Sequence, residues 1–325
     1  MSKIKSAVLI GKAIGDALGM QFETRNWNDP AIMAWDGKSY GSSEFHKLGP
    51  GQWTDDTGMA LALTYSLLDR GPTLKLDPVT PGYNPARAAN AYLAWYQGPT
   101  FRGAGQTTRR ALDNLKRNVP WYESGELGAL GNGTAMRVAP LGVFYRDEPS
   151  KLIKYAKLDA TITHDSHEAQ QGSIAIALAV SLLLNGVKKE EILESIRHVL
   201  EPSRVLDTIN LIATNKTVHD TLKNKNYDRA LDRNGGNRII SQLILGNKYT
   251  VYEAVARSFY VFVATRSFEE AMELAIRGGG DTDTVAAMVG ALCGAYYGLE
   301  GIPDNFIAQL EDHKRILEAD SFLIS

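Results

Sequence analysis

The chain has 325 residues, 44% hydrophobic and 22% charged, a globular composition that excludes a disordered chain and allows a large core. Its formal net charge of -2 excludes a general electropositive attraction to nucleic acid or anionic lipid, so a phosphate-bearing partner has to be gripped locally. The single Cys293 cannot close an internal disulfide, and polar interruptions in MSKIKSAVLIGKAIGDALG do not fit a signal peptide, so the cytoplasm is the expected location.

Helical spacing of apolar residues starts at once and predicts helices over 4–19, 57–69, 86–96, 105–117, 150–159, 166–185, 188–200 and 203–214. The same spacing returns over 237–245, 250–264, 267–277 and 282–298. Breakers such as Gly71-Pro72, Gly98-Pro99, Pro120, Gly186, Pro202 and Gly235-Gly236 fall between these segments. Hardly any segment alternates like a strand, although the short apolar piece 138–145 fits either type. The fold class expected is all-α, and with no dividing linker residues 1–325 read as a single domain. The apolar run SIAIALAVSLLLNG, 173–186, is too short to span a bilayer and reads as a buried helix, so no membrane partner is expected. Two long loops, 22–53 and 72–85, interrupt the pattern, and the first is a candidate cover for an active site.

Two helices in this order begin alike. The helix predicted from 57 is preceded by Thr54-Asp55-Asp56-Thr57, and the helix predicted from 282 begins inside Gly279-Gly280-Asp281-Thr282-Asp283-Thr284. One Asp or Thr suffices to satisfy the unpaired N-H groups of a helix start. Each cluster offers two carboxylates and two or more hydroxyls, and crowding like charges costs free energy unless a cation neutralises them. If the two clusters meet, they form a divalent-metal site. With no histidine or cysteine in either cluster the donors are hard oxygens, which suit Mg, Mn or Ca. Four carboxylates exceed the needs of one ion, so a pair of ions is expected. The glycines 278–280 fit a close backbone approach to a ligand. Asp16, inside the first helix, needs a hydrogen-bond partner and is assigned a structural role, with Gly15 and Gly19 marking tight helix packing. Gly290, Gly294 and Gly298 repeat every fourth residue, which likewise lets another helix come close.

The series GDALGMQFE (15–23), QWTDDT (52–57), GNGTAMRVAPLG (131–142), THDSHEA (163–169) and GGDTDTVAAMVGALCGAYYG (279–298) resembles the ADP-ribosylglycohydrolases. The five motifs stand in that family's order and cover most of the chain. The resemblance implies a compact orthogonal helical bundle with a binuclear site holding two divalent cations, Mg or Mn. It also implies hydrolysis of the bond between the distal ribose of ADP-ribose and an acceptor. By motif position Thr54, Asp55, Asp56, Asp281, Asp283 and Thr284 would bind metal, and Glu23, Asp55 and Asp56 would be catalytic. Gly131, Asn132, Gly133, Thr134 and Met136 would wrap the pyrophosphate and nearby ribose, with His164 at the phosphate or proximal ribose. The expected partner is an ADP-ribosylated protein, with ADP-ribosyl-arginine as the acceptor linkage, and no nucleic acid. Two other readings stay open at this point: a hydrolase of a free derivative such as O-acetyl-ADP-ribose, and a non-catalytic ADP-ribose-binding or structural member. The family often has Trp where this chain has Phe306, and the polar segment 215–236 matches no family feature.

Overall fold

The computed structural model describes residues 6–68, 81–214, 246 and 248–324. The predicted helix at 237–245, the segment 215–236 and most of the loop 72–85 lie outside these residues.

The architecture is all-α and is built around two nearly continuous apolar helices. Helix α1, Val8–Gly19, is buried along its whole length, and so are residues 282–295 of a late helix, Thr282–Tyr297. A helix without a polar face has to sit in the interior, and these two pack against each other. Their approach is set by small residues: a Cβ on Gly11 would stand 2.4 Å from Gly290 O, one on Gly290 2.1 Å from Gly11 O, and one on Gly15 2.0 Å from Ala286 O. Gly294 meets Ala7 in the same way. Gly298 does something else: it ends its helix with φ 66°, a left-handed conformation that glycine adopts without strain.

Around this pair, in chain order, lie α2 (Pro30–Ala34), α3 (Asp55–Leu68), α4 (Pro85–Tyr96), α5 (Gln106–Lys116), α6 (Trp121–Ser124) and α7 (Ala139–Phe144). Then follow α8 (Pro149–Thr161), α9 (His167–Leu184), α10 (Ile192–Arg197), α11 (Arg204–Thr214), α12 (Val251–Ala264) and α13 (Phe268–Arg277). The chain ends with α14 (Thr282–Tyr297), α15 (Asp304–Gln309) and α16 (His313–Ile324). Helices α9, α12 and α13 pack on α14, while α3 and α16 pack on α1. The ambiguous piece 138–145 is helical. Among the described residues strand structure is confined to Glu126–Leu127 (β1) paired parallel with His164–Asp165 (β2), apart from isolated bridges. No described helix is long and apolar enough to cross a membrane.

Two acids in the core fasten helix starts that lack caps of their own. Asp320 on α16 accepts from Ser6 Oγ and from the N-H groups of Leu9 and Ile10 at 2.9–3.2 Å, so it caps α1 from outside. Asp16 on α1 does the same for α3. It accepts from the N-H and hydroxyl of both Thr54 and Thr57 at 2.6–3.0 Å, which is the structural role expected of it.

The loop 22–53 is held at several points. Tyr40 donates to Phe306 O at 2.9 Å and packs edge-on against the Phe306 ring, so Phe306 anchors the loop to α15. Gly279 and Gly280, with φ 67° and 74°, let residues 24–27 lie directly against the start of α14: Thr24 N donates to Gly280 O and Gly280 N donates to Arg25 O. A Cβ on Gly279 would stand 2.5 Å from Trp27 N. The close approach at this glycine run is therefore to the chain's own backbone, where a ligand was expected.

Candidate active site

The starts of α3 and α14 meet. Thr284 Oγ1 donates to Asp56 Oδ2 at 3.2 Å, joining the two acidic clusters directly. Thr54, Asp55, Asp56, Asp281, Asp283 and Thr284 are all buried, none more than 7% exposed. Neither cluster caps its own helix. Asp281 stands at the cap position of α14 but accepts no hydrogen bond there, and α3 receives its cap from Asp16. The carboxylates that capping would have used thus remain for one another and for a cation.

Burial first, and the neighbouring carboxylates after it, bias these groups toward their neutral forms. Asp55 and Asp283 are pushed well above the usual carboxylate range, Asp56 up to about 8 and Asp281 up to about 6. Lys12 works against this at Asp56: its ammonium, 1% exposed, lies 3.6 Å from Asp56 Oδ1. Asp56 Oδ1 and Asp283 Oδ1 are buried without any hydrogen-bond partner, and so is Lys12 Nζ. Thr54 gives its hydroxyl proton to Asp16 and Thr284 gives its own to Asp56, which leaves both oxygens' lone pairs for a cation. Crowded carboxylates, orphaned buried oxygens and hydroxyl acceptors are the donor set that a hard divalent cation satisfies.

Glu23 reaches this centre from the loop 22–53. Its carboxylate touches His46 Nε2, and that nitrogen lies 3.7 Å from Asp283 Oδ2. Glu23, His46 and Asp283 each offer a ligand atom within 4.8 Å of the other two, an arrangement able to hold a metal ion. A histidine carried by the loop therefore stands beside the oxygen donors expected from the two motifs. The Tyr249 hydroxyl also bonds Glu23, and burial together with the charges of Glu23, Asp281 and Asp283 pushes that phenol upward.

The segment 131–136 forms the adjoining wall. Asn132 Nδ2 donates to Asp281 Oδ2, its N-H goes to Tyr249 O, and Met136 N returns to Asn132 O, so these groups are already engaged within the chain. The segment is further tied to residues 249–251 through the Gly131–Thr250 bridge. His164 lies beneath it, 3% exposed, with Nδ1 2.9 Å from Thr163 Oγ1. Gly131 and Gly133 make room for this ring, since a Cβ there would stand 2.9 and 2.7 Å from its atoms. Burial, and then the charge of Arg137, push His164 down to about 3, so it works as a neutral imidazole. Thr134 and Met136 are buried, and Thr134 Oγ1 donates inward to Ala169 O. Behind them Arg137 forms a fully buried pair with Asp159, which also accepts from Tyr92, and Arg137 donates to Gly133 O.

On the opposite side Gly103, with φ 83°, closes over the acids: a Cβ there would stand 2.6 Å from Asp55 Oδ1. Its neighbour Arg102 stacks over Trp53 at 4.3 Å and pairs with Glu311. The segment 102–107 is thus both the entry to α5 and a wall beside Asp55.

A family model described as ADP-ribosylglycohydrolase matches residues 3–324. The chain belongs to the ADP-ribosylglycohydrolase family. As a member it is a hydrolase of glycosidic bonds. It is similar to ADP-ribosylhydrolase ARH3 of Mus musculus, with 31% identity covering 92% of this chain and 85% of that one. It is also similar to ADP-ribosylarginine hydrolase Tri1 of Pseudomonas putida (strain GB-1), with 28% identity covering 93% and 72%. A solved structure described as an ADP-ribosylglycohydrolase-related protein complex superposes with a TM-score of 0.73 at 30% identity, covering 98% of this chain and 95% of that chain. This ADP-ribosylglycohydrolase therefore shares the all-α fold of the family, with its two acidic clusters brought together at one place.

Sequence reasoning missed His46, Lys12 and Tyr249. Lys12 carried a faint signal, because a lysine in a helix with no polar face has to find a buried anion. His46 carried only its membership of the suspected cover loop.

Proposed function

We propose that this chain removes ADP-ribose from a modified protein side chain, with arginine as the acceptor, using two divalent cations, Mg or Mn. The observation that carries the reading is the junction of the two acidic clusters at Thr284 and Asp56, with Asp56 Oδ1 and Asp283 Oδ1 buried and unpartnered. Thr54, Asp55, Asp56, Asp281, Asp283 and Thr284 would hold the cations, and residues 1–325 act as one catalytic domain in the cytoplasm. The choice of arginine rests on the similarity to the Pseudomonas putida protein named as an ADP-ribosylarginine hydrolase.

When bound, the cations supply positive charge and lower the pKa of water. Cleavage of a glycosidic bond develops positive charge on the sugar, and a carboxylate next to the anomeric carbon stabilises it and can take a proton from the attacking water. Glu23, Asp55 and Asp56 are the carboxylates for these tasks, and Glu23 is steadied by His46 and Tyr249. Gly131, Asn132, Gly133, Thr134, Met136 and neutral His164 form the wall against which the ADP-ribose lies, and an uncharged imidazole there can donate or accept a hydrogen bond.

The test is release of free ADP-ribose from arginine-, serine- and glutamate-linked substrates and from O-acetyl-ADP-ribose, each with and without Mg or Mn. Release from the arginine linkage, dependent on the cation, is expected. Release from the free ester alone would replace the protein substrate with a small molecule, and no release from any of them would remove the enzymatic reading.

A further inference from the structure

We propose that His46 is a nitrogen ligand to one of the divalent cations, and that it tilts the site away from Mg toward first-row transition ions. The inference rests on the metal-dependent reading above and adds to it a ligand that neither acidic motif contains.

The placement of the ring carries the inference. His46 Nε2 touches Glu23 Oε2 and lies 3.7 Å from Asp283 Oδ2. Two neighbouring ligands of one small cation, each bonded at about 2.1 Å, stand roughly 3 Å apart. The two separations from His46 fall on either side of that spacing, and the ligand atoms of all three residues lie within 4.8 Å of one another, so side-chain shifts bring all three onto one ion. Asp283 has its other oxygen, Oδ1, buried with no hydrogen-bond partner, an independent sign that this carboxylate is built to meet a cation.

The ring is also well held. Its side chain is 5% exposed, and Phe45 packs edge-on against it with centroids 4.8 Å apart. The backbone at His46 is fixed by a tight loop in which Ser43 and Leu48 exchange both N-H to O bonds and Ser43 Oγ accepts from His46 N. A ligand on a pinned loop loses little conformational freedom when an ion binds.

The chemical consequence follows from donor type. Carboxylate, hydroxyl and water oxygens suit Mg as well as Mn, whereas imidazole favours transition ions, with affinity rising from Mn through Fe to Co. One nitrogen donor in an oxygen site therefore sets a preference that the oxygens alone do not. The competing account makes His46 only the hydrogen-bond partner that steadies Glu23.

Pulsed electron paramagnetic resonance on the Mn-loaded full-length protein separates the two. Nitrogen coupling to Mn is expected in the wild type, is expected to change when the protein carries 15N-histidine, and is expected to vanish in His46→Gln. In the same variant Mn affinity, measured by titration calorimetry, should fall by at least the roughly tenfold that disturbing even an outer-shell partner produces. Mg affinity should fall by a smaller factor. Mn bound to the wild type without histidine nitrogen coupling overturns the inference and needs no substitution to be seen, and an unchanged Mn-to-Mg ratio in His46→Gln does the same. If the wild type binds neither ion, the metal-dependent reading itself fails and takes this inference with it.

Discussion

Lys12 Nζ lies 3.6 Å from Asp56 Oδ1, with both side chains 1% exposed and both atoms lacking a hydrogen-bond partner. Among the described residues the buried ammonium in the middle of α1 pairs with the acidic cluster, so Lys12 acts as that cluster's resident cation. Removing one member of a buried pair typically costs about 3–5 kcal/mol. Here Asp56 can take up a proton instead, so Lys12→Met should destabilise the metal-free protein by a smaller amount, about 2 kcal/mol. Divalent cations neutralise the same carboxylates, so the loss should shrink when Mn is saturating. Thermal unfolding with and without Mn checks this, and equal losses in both conditions would show that Lys12 is merely packed there.

Asp320 provides a pH prediction away from the acidic cluster. Burial pushes its carboxyl from 3.8 up to about 6, only partly offset by the hydrogen bonds from Leu9, Ile10 and Ser6. The folded state thus binds this proton more tightly than the unfolded state does. The stabilising contribution is complete below the unfolded value of 3.8 and is lost as pH rises through about 6. In Asp320→Asn no charge forms, so the variant lacks that slope. The stability difference, wild type minus variant, should fall by an amount on the order of 3 kcal/mol between about pH 4 and pH 7. Urea unfolding of both proteins at several pH values measures it, and a difference independent of pH would remove the assignment.

What the sequence disclosed depended on whether a feature repeats locally. Helices such as 167–184 and 282–297 announce themselves because apolar spacing is a property of neighbouring residues. The helices at 30–34, 121–124, 304–309 and 313–324 escaped, three of them too short to show a period and the last mixed in polarity. The acidic clusters were legible as composition, since two carboxylates at one helix start exceed what a cap uses. Their meeting was an inference from charge, and the contact between Thr284 and Asp56 now supplies it. The glycines 278–280 were read as an approach to ligand, yet a glycine shows only that a side chain is not accommodated, and at Gly279 what stands close is residues 25–27. His46 had no local pattern at all, because its place beside Glu23 and Asp283 is made by the path of a loop anchored at Tyr40 and Phe306.

Two aspartates of the same centre should respond oppositely to neutralisation. Asp16 accepts from both N-H groups and both hydroxyls of Thr54 and Thr57, and an amide at that position would offer one acceptor oxygen and turn its own donors on the others. Leaving buried donors unpaired costs about 1–3 kcal/mol each, so Asp16→Asn should lose at least about 3 kcal/mol of stability and misplace the start of α3. Asp283, by contrast, is burdened by burial and by the charges of Glu23, Asp281 and Asp56, which push it well above the usual carboxylate range. Replacing it by Asn removes a carboxyl group that folding makes costly to ionise, so the metal-free Asp283→Asn protein should gain stability on the order of 1 kcal/mol while turnover is lost. Denaturant unfolding of the metal-free proteins, read beside ADP-ribose release with Mn, tests both. A destabilised Asp283→Asn, or one with near-normal turnover, would mean that this carboxylate serves the fold and leaves the chemistry to other groups.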